Sequence, residues 1–384
     1  MDTNGILTRI RDVLPAIRAR RQEIEQARRM PTDLIGELRR TGMFGLGVPR
    51  ALGGKEARPV DIMRAIETVA TADGSTGWCA MVATGNNVVA GYMDESGARE
   101  VFADPTAPSA GIAAPAGAAV RVDGGVRVSG RWPFASGITH CDWVWAGCLV
   151  MENGQPRMTP RGPEIVHACM PVSEVAIHDT WHVSGLCGTG SDDFTATEVF
   201  VPAQRIFALL DPAGHRSEPL YRMPPLGLFV FQVVCVSLGI ARSALDDLAE
   251  LTQSKKPTMY TELLADKAVT QVEIARAEAA LGGARSFLYE VVEDMWQSVS
   301  AGHEPTRRQL ALGRIAATQA AETAATVTRT ANTLGGGSSI YSTSSLQRHA
   351  RDAEAVTHHF TVSPHSWEEA GRVLLGREPI APVF

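Results

Sequence analysis

Two adjacent histidines, His358 and His359, stand near the end of the segment RDAEAVTHHF (351–360), the second of them seven residues after Asp352. Imidazole takes or gives a proton near neutral pH, so the pair is the first candidate for general acid–base chemistry. Phe360, the next residue, offers no such group. A second candidate is GRWPFASGITHCDWVWAG (130–147), where Ala135, Ser136 and Gly137 follow Trp132 and Phe134 and precede Trp143. It sets one hydroxyl among aromatic rings. A third is Gly188, Thr189, Gly190 and Ser191, whose small side chains let backbone amides approach an anion or a ring edge. Taken alone, the first of these two runs is a tight turn with packed tryptophans and the second is only a turn. Asn86, eight residues after Trp78, can hydrogen-bond a substrate but cannot act as a base. Ser136, His140 and Asp142 have the residue types of a hydrolase triad, yet no nucleophile elbow surrounds them. No metal site is expected, because the six cysteines include no C-x-x-C pair and His365 completes no ligand spacing.

The elements that must position these residues fall into three zones. Residues 1–107 carry a helical period: Ile6, Ile10, Leu14 and Ile17 share one face, Pro31, Thr32 and Asp33 start a helix that Gly42 stops, and further helices are expected over 59–72 and 77–91. Residues 108–218 change to a period of two. Val120 and Val122, Asp123-Gly124-Gly125, then Val126 and Val128 read as a hairpin, with strands at 144–150 and 194–201. Residues 219–384 are alanine-rich and helical, with long segments at 227–251, 260–301 and 305–334 that favour an antiparallel bundle. The chain is therefore expected to be an α+β multidomain protein: a helical domain, a β-barrel or sandwich domain, and a four-helix bundle.

Its 384 residues are 45% hydrophobic and 20% charged, enough for substantial cores. A net charge of -6 without a dense Lys/Arg run argues for a small-molecule partner and against nucleic acid. No membrane association is expected: the most apolar run, 226–241, is short and interrupted by Gln232 and Ser237, which reads as a buried helix. The scattered cysteines and the absence of a signal-like apolar start fit the cytoplasm.

The segment SIYSTSSLQRHARDA (339–353) resembles the C-terminal helical part of the acyl-CoA dehydrogenase superfamily, whose members carry a catalytic glutamate eight residues after the aspartate. Here that position is Phe360. The run at 130–147, the run WHVSGLCGTGSDDFTATEVFVPAQRIF (181–207) and the opening PTDLIGELRRTGMFGLGVPRALGG (31–54) resemble the flavin-dependent monooxygenases built on that fold. The resemblance implies the oxygenase component of a two-component system that hydroxylates an aromatic or heteroaromatic molecule, indole- or phenol-type, through a flavin C4a-hydroperoxide. It implies reduced FAD or FMN and molecular oxygen, a separate NAD(P)H:flavin reductase, and a homotetramer. Ser136 would lie beside flavin N5, with Trp132, Phe134, Trp143 and the Gly188–Ser191 run around the ring, and His359 would be the base, with His358 the weaker candidate on the same helix. Phenol-hydroxylating relatives carry a further histidine near position 87, where this chain reads Gly85, Asn86, Asn87. Two readings on the same fold stay open: an acyl-CoA dehydrogenase or oxidase using Glu262 or Glu273, and an amino-sugar N-oxygenase.

Overall fold

The computed structural model describes residues 3–160, 162–211 and 216–380. Among the described residues six helices come first: α1 (Thr3–Ala19), α2 (Arg21–Ala27), α3 (Thr32–Thr41), α4 (Pro59–Ala70), α5 (Gly74–Asn86) and α6 (Glu95–Val101). The four apolar residues that repeat along α1 are all buried. Gly42 ends α3 at φ +85, a conformation that favours glycine. α5 starts three residues before the expected Gly77, because the Asp73 carboxylate caps it by accepting the Thr76 N–H at 2.7 Å. Past Asn86 it tightens into a 3-10 turn, Asn87–Gly91.

Among the described residues ten strands follow: β1 (Ser109–Val122), β2 (Gly125–Ala135), β3 (Trp143–Glu152), β4 (Gln155–Pro156), β5 (Met158–Thr159), β6 (Gly162–Pro163), β7 (Ile165–Pro171), β8 (Ala176–His178), β9 (Asp192–Pro202) and β10 (Ile206–Phe207). The main sheet runs β10-β7-β3-β1-β2-β9-β8, with β4 added beside β3, while β5 and β6 form a separate pair. The hairpin expected at Asp123-Gly124 joins β1 to β2, Val122 pairing with Gly125. β1 also pairs with β3, in parallel, and their register shifts between Ile112 and Gly117. That bulge carries residues 113–116 out of the ladder and into the wall of the cavity described below.

Six further helices among the described residues are α7 (Pro219–Arg222), α8 (Pro225–Thr252), α9 (Ala268–Ser300), α10 (Arg307–Gly335), α11 (Ser345–Thr357) and α12 (His365–Leu374). α8 to α11 form the four-helix bundle, and α4 and α5 pack against α8. α9 begins at Ala268 rather than Tyr260: the Leu264 N–H donates to Lys255 O at 2.8 Å and folds the intervening chain back onto the end of α8. One hydrophobic core runs continuously from the N-terminal helices into the bundle, and a second fills the β unit. α8 is long and apolar enough to cross a membrane by length and composition, but it is buried at the centre of the bundle. The alanine face of α10 packs inside the chain, since Ala316, Ala317, Ala320, Ala321 and Ala324 are fully buried.

Candidate active site

A cavity of about 870 Å³ lies where α5, the β1 bulge, β3, the start of α8 and the chain after α11 converge. This is toward the upper end of the roughly 300–1,000 Å³ of small-molecule sites. Among the described residues lining it there is no Asp, Glu, Lys or Arg; its polar groups are hydroxyls, amides, indoles and histidines.

His358 and His359 both line it, though not as two residues of one helix. α11 ends at Thr357, His358 is its exposed C-cap, and His359 is extended (φ -70, ψ 132). Helical spacing, which would set neighbouring side chains about 100° apart, therefore does not separate the two rings. What distinguishes them is burial. The His359 ring packs against Trp78 (centroids 5.7 Å apart), Phe229 (5.9 Å) and Phe360 (4.9 Å). Desolvation among these rings pushes its pKa down to about 4, so it is neutral at pH 7. Its Nδ1 accepts the Thr361 N–H at 3.4 Å and lies 2.7 Å from Thr361 Oγ1, so in this geometry the ring proton sits on Nε2, and Nε2 becomes a base only when that proton moves to Nδ1 and is donated to Thr361 Oγ1.

Ser136, Thr189 and Ser191 converge as the sequence suggested, and their protons have a fixed order. Thr189 Oγ1 donates to Leu186 O at 2.9 Å, so the 2.7 Å contact with Ser191 uses the Ser191 proton. The 2.6 Å contact between Ser191 and Ser136 then uses the Ser136 proton, while Ser136 Oγ accepts the Trp78 indole N–H at 3.0 Å. Ser136 is thus already committed as a donor: it donates to a ligand only if the chain of hydroxyls reverses, while its second lone pair is left to accept from one. The chain is anchored by Asp352, which is fully enclosed and accepts the Leu186 N–H at 2.6 Å. Burial and the nearby Asp73 push its pKa up to about 7.

Other expected site residues are placed elsewhere. Trp132 lies inside the β core, stacked on Phe194 at 5.0 Å with its N–H donating to Gly147 O at 2.8 Å. Inward alternation along β2 sends it away from the cavity. Trp143 lies outside too, under the Arg205 guanidinium at 4.8 Å. Ala135 pairs with Asp192 in the sheet, the Gly137 N–H donates to Thr189 O, and the Gly188 N–H donates to Ser75 Oγ at 3.1 Å, so these two amides are not free for a ligand. Gly190, at φ +52, turns the chain against the Arg28 carbonyl. Phe134 does line the cavity, 65% exposed, at φ +66 and edge-on to Trp181 at 6.1 Å. Asn86 lines it as well, while its Nδ2 donates to Ser109 O at 3.3 Å. Ser136 has Trp78 and Ser191 as partners, not His140, which removes the triad reading. The sequence reading missed the wall residues Trp78, Trp145, Trp181 and Gln232.

Residues 8–102 match the acyl-CoA dehydrogenase N-terminal domain and residues 232–364 the acyl-CoA dehydrogenase C-terminal domain. The chain is 35% identical over 363 residues to the indole-3-acetate monooxygenase of Pseudomonas putida, covering 94% of this chain and 92% of that protein. It is 30% identical over 312 residues to the flavin-dependent monooxygenase oxygenase subunit HsaA of Mycobacterium tuberculosis, covering 79% and 78%. The crystal structure of 3-HSA hydroxylase from Rhodococcus sp. RHA1 superposes with a TM-score of 0.92 at 27% identity, over 100% of both chains. The cavity suits a flavin: an apolar space, a rim formed by Phe134 and Trp181, neutral hydroxyls for a polar ring edge, and the Trp145 indole N–H buried without a partner. By these matches the chain belongs to the flavin-dependent monooxygenases of the acyl-CoA dehydrogenase superfamily.

Proposed function

We propose that this enzyme places one atom of molecular oxygen on a small aromatic or heteroaromatic compound of the indole or phenol type, with His359 accepting the proton that the substrate gives up. The observation that carries this is a neutral, half-buried imidazole in a cavity without any carboxylate among its described lining residues. Reduced FAD or FMN, when bound, supplies the electrons and activates oxygen. Phe134, Ser136, Thr189, Ser191 and Trp181 would hold it, while the apolar walls keep out water. The dehydrogenase reading needs a carboxylate at the reacting carbon. Glu262 instead pairs with Lys267, Glu273 pairs with Arg276, and neither lines the cavity. The largely apolar wall also disfavours a polyhydroxylated amino sugar.

The same reading assigns NADH oxidation to a separate NAD(P)H:flavin reductase and places the enzyme in the cytoplasm, with residues 1–107, 108–218 and 219–384 as its three domains. Mixing the protein with a generic flavin reductase, flavin, NADH and indole or phenol should give a product heavier by one oxygen atom in mass spectrometry. Steady NADH consumption without the reductase would contradict it. A homotetramer fits the apolar side chains left exposed on and before α9, Met259, Tyr260, Val269 and Val272, together with Ile340 and Tyr341. Light scattering should show four chains, and a monomer at micromolar concentration would overturn this.

Ser136→Ala is expected to raise peroxide release per hydroxylated product several-fold. It also lowers stability by about 1–3 kcal/mol, because the buried Trp78 N–H is left unsatisfied, while Ser191 keeps its bond to Thr189. Coupling ratio and denaturant midpoint measured on one preparation check both, and an unchanged midpoint would mean that the hydroxyl chain does not exist in solution.

A further inference from the structure

Gln232 is the one residue that interrupts the apolar middle of α8 with an amide in the wall of the cavity. It is 1% exposed, and neither its Nε2 nor its Oε1 has a hydrogen-bond partner. Gly85 of α5 makes room for it: a β-carbon there would come within 2.9 Å of Oε1 and 3.5 Å of Phe229. A helix that otherwise buries Val233, Val234, Val236 and Leu238 would gain stability from a leucine at this position. A buried amide without a protein partner in the wall of a binding cavity has both its donor and its acceptor free to pair with a ligand.

We propose, resting on the aromatic hydroxylation above, that Gln232 selects the substrate, and that the substrate is an uncharged aromatic carrying one polar group that both donates and accepts a hydrogen bond, such as a carboxamide or hydroxyl. An amide offers both roles, so a group with both is the one that leaves neither atom unpaired. A carboxylate fits poorly for two reasons. It only accepts, which leaves Gln232 Oε1 unsatisfied, and no Lys or Arg among the described lining residues compensates its charge. The histidines of the wall do not supply one. His167 donates to Ala113 O while its Nδ1 accepts the Leu209 N–H, His359 is neutral, and His358 stands at the exposed mouth. The indole-3-acetate named for the Pseudomonas putida relative is thus not the preferred form of substrate here.

Indole-3-acetamide and indole-3-acetate differ in charge and donor capacity at nearly constant shape, which makes them the probes. Calorimetry on the flavin-loaded enzyme should show the amide binding at least about 10-fold more tightly than the acetate at pH 7.5. Gln232→Leu should lower amide affinity at least about 10-fold and raise the melting temperature, since it removes two unpaired buried atoms; a structural glutamine would lower it. Gln232→Glu should weaken both probes. Equal or tighter binding of the acetate, no binding of the amide, or an unchanged preference in Gln232→Leu would overturn the assignment. Mass spectrometry of the same mixtures with reductase and NADH separates the two proposals: an amide that binds by this pattern but gains no oxygen refutes the reaction and leaves the selectivity of Gln232 standing.

Discussion

Replacing His359 by alanine should lower hydroxylation by at least about 100-fold while the reduced enzyme goes on consuming oxygen and releasing it as peroxide. The variant removes the proton acceptor of the cavity without touching the hydroxyls that run from Trp78 to Leu186. Nε2 gains a lone pair for the substrate when the ring proton moves to Nδ1 and is donated to Thr361 Oγ1, which replaces the 3.4 Å bond that Nδ1 accepts from the Thr361 N–H. Because burial holds the folded pKa near 4, the basic form dominates from about pH 5 upward, and kcat/KM should fall as pH drops through about 4. That limb should vanish in His359→Gln. His358→Ala should cost far less, its ring being exposed at the mouth. Product and peroxide measured together check this; a crippled His358→Ala beside a mild His359→Ala would move the base by one residue.

Asp352→Asn should stabilise the protein, and by more at pH 8 than at pH 5. The folded carboxyl is pushed up to about 7 by burial and by Asp73, whereas in the unfolded chain it ionises near 3.9. Between these values the folded state holds a proton that the unfolded state has released, so stability declines as pH rises, and the full cost is present above about 7. Three units correspond to about 4 kcal/mol as an order of magnitude. Asparagine keeps an oxygen for the Leu186 N–H, now 2.6 Å from Asp352, and cannot ionise. Denaturant midpoints at the two pH values decide it. A variant less stable than the parent at pH 8 would show that a charged Asp352 is what holds the Leu186 turn.

Much of this arrangement was legible in the residues. The periods of α1, α8 and α10, the Gly42 stop and the Asp123-Gly124 hairpin are local signals, and local signals survive folding. The segment from Tyr260 to Lys267 was misread because its helical period is overridden by the turn that folds it back onto α8. The Ser136, Thr189 and Ser191 hydroxyls do meet, yet their order of donation depends on Leu186 O and Trp78, which lie far apart in the chain. Trp132 has the residue type of a cavity wall, but the alternation of β2 turns it into the sheet core. Gln232 was visible as the lone amide in an apolar run; only the packing of α8 against α5 shows what it faces.

The central claim is oxygen transfer supported by a neutral imidazole, and it is tested most directly by turnover under isotopically labelled oxygen with reductase, flavin, NADH and an indole or phenol substrate. The wild type should give a product carrying one labelled oxygen atom, and His359→Ala should convert nearly all of the consumed oxygen to labelled peroxide. A wild-type product whose added oxygen is unlabelled, or an enzyme whose bound oxidised flavin is bleached anaerobically by an acyl-CoA thioester, would contradict the account.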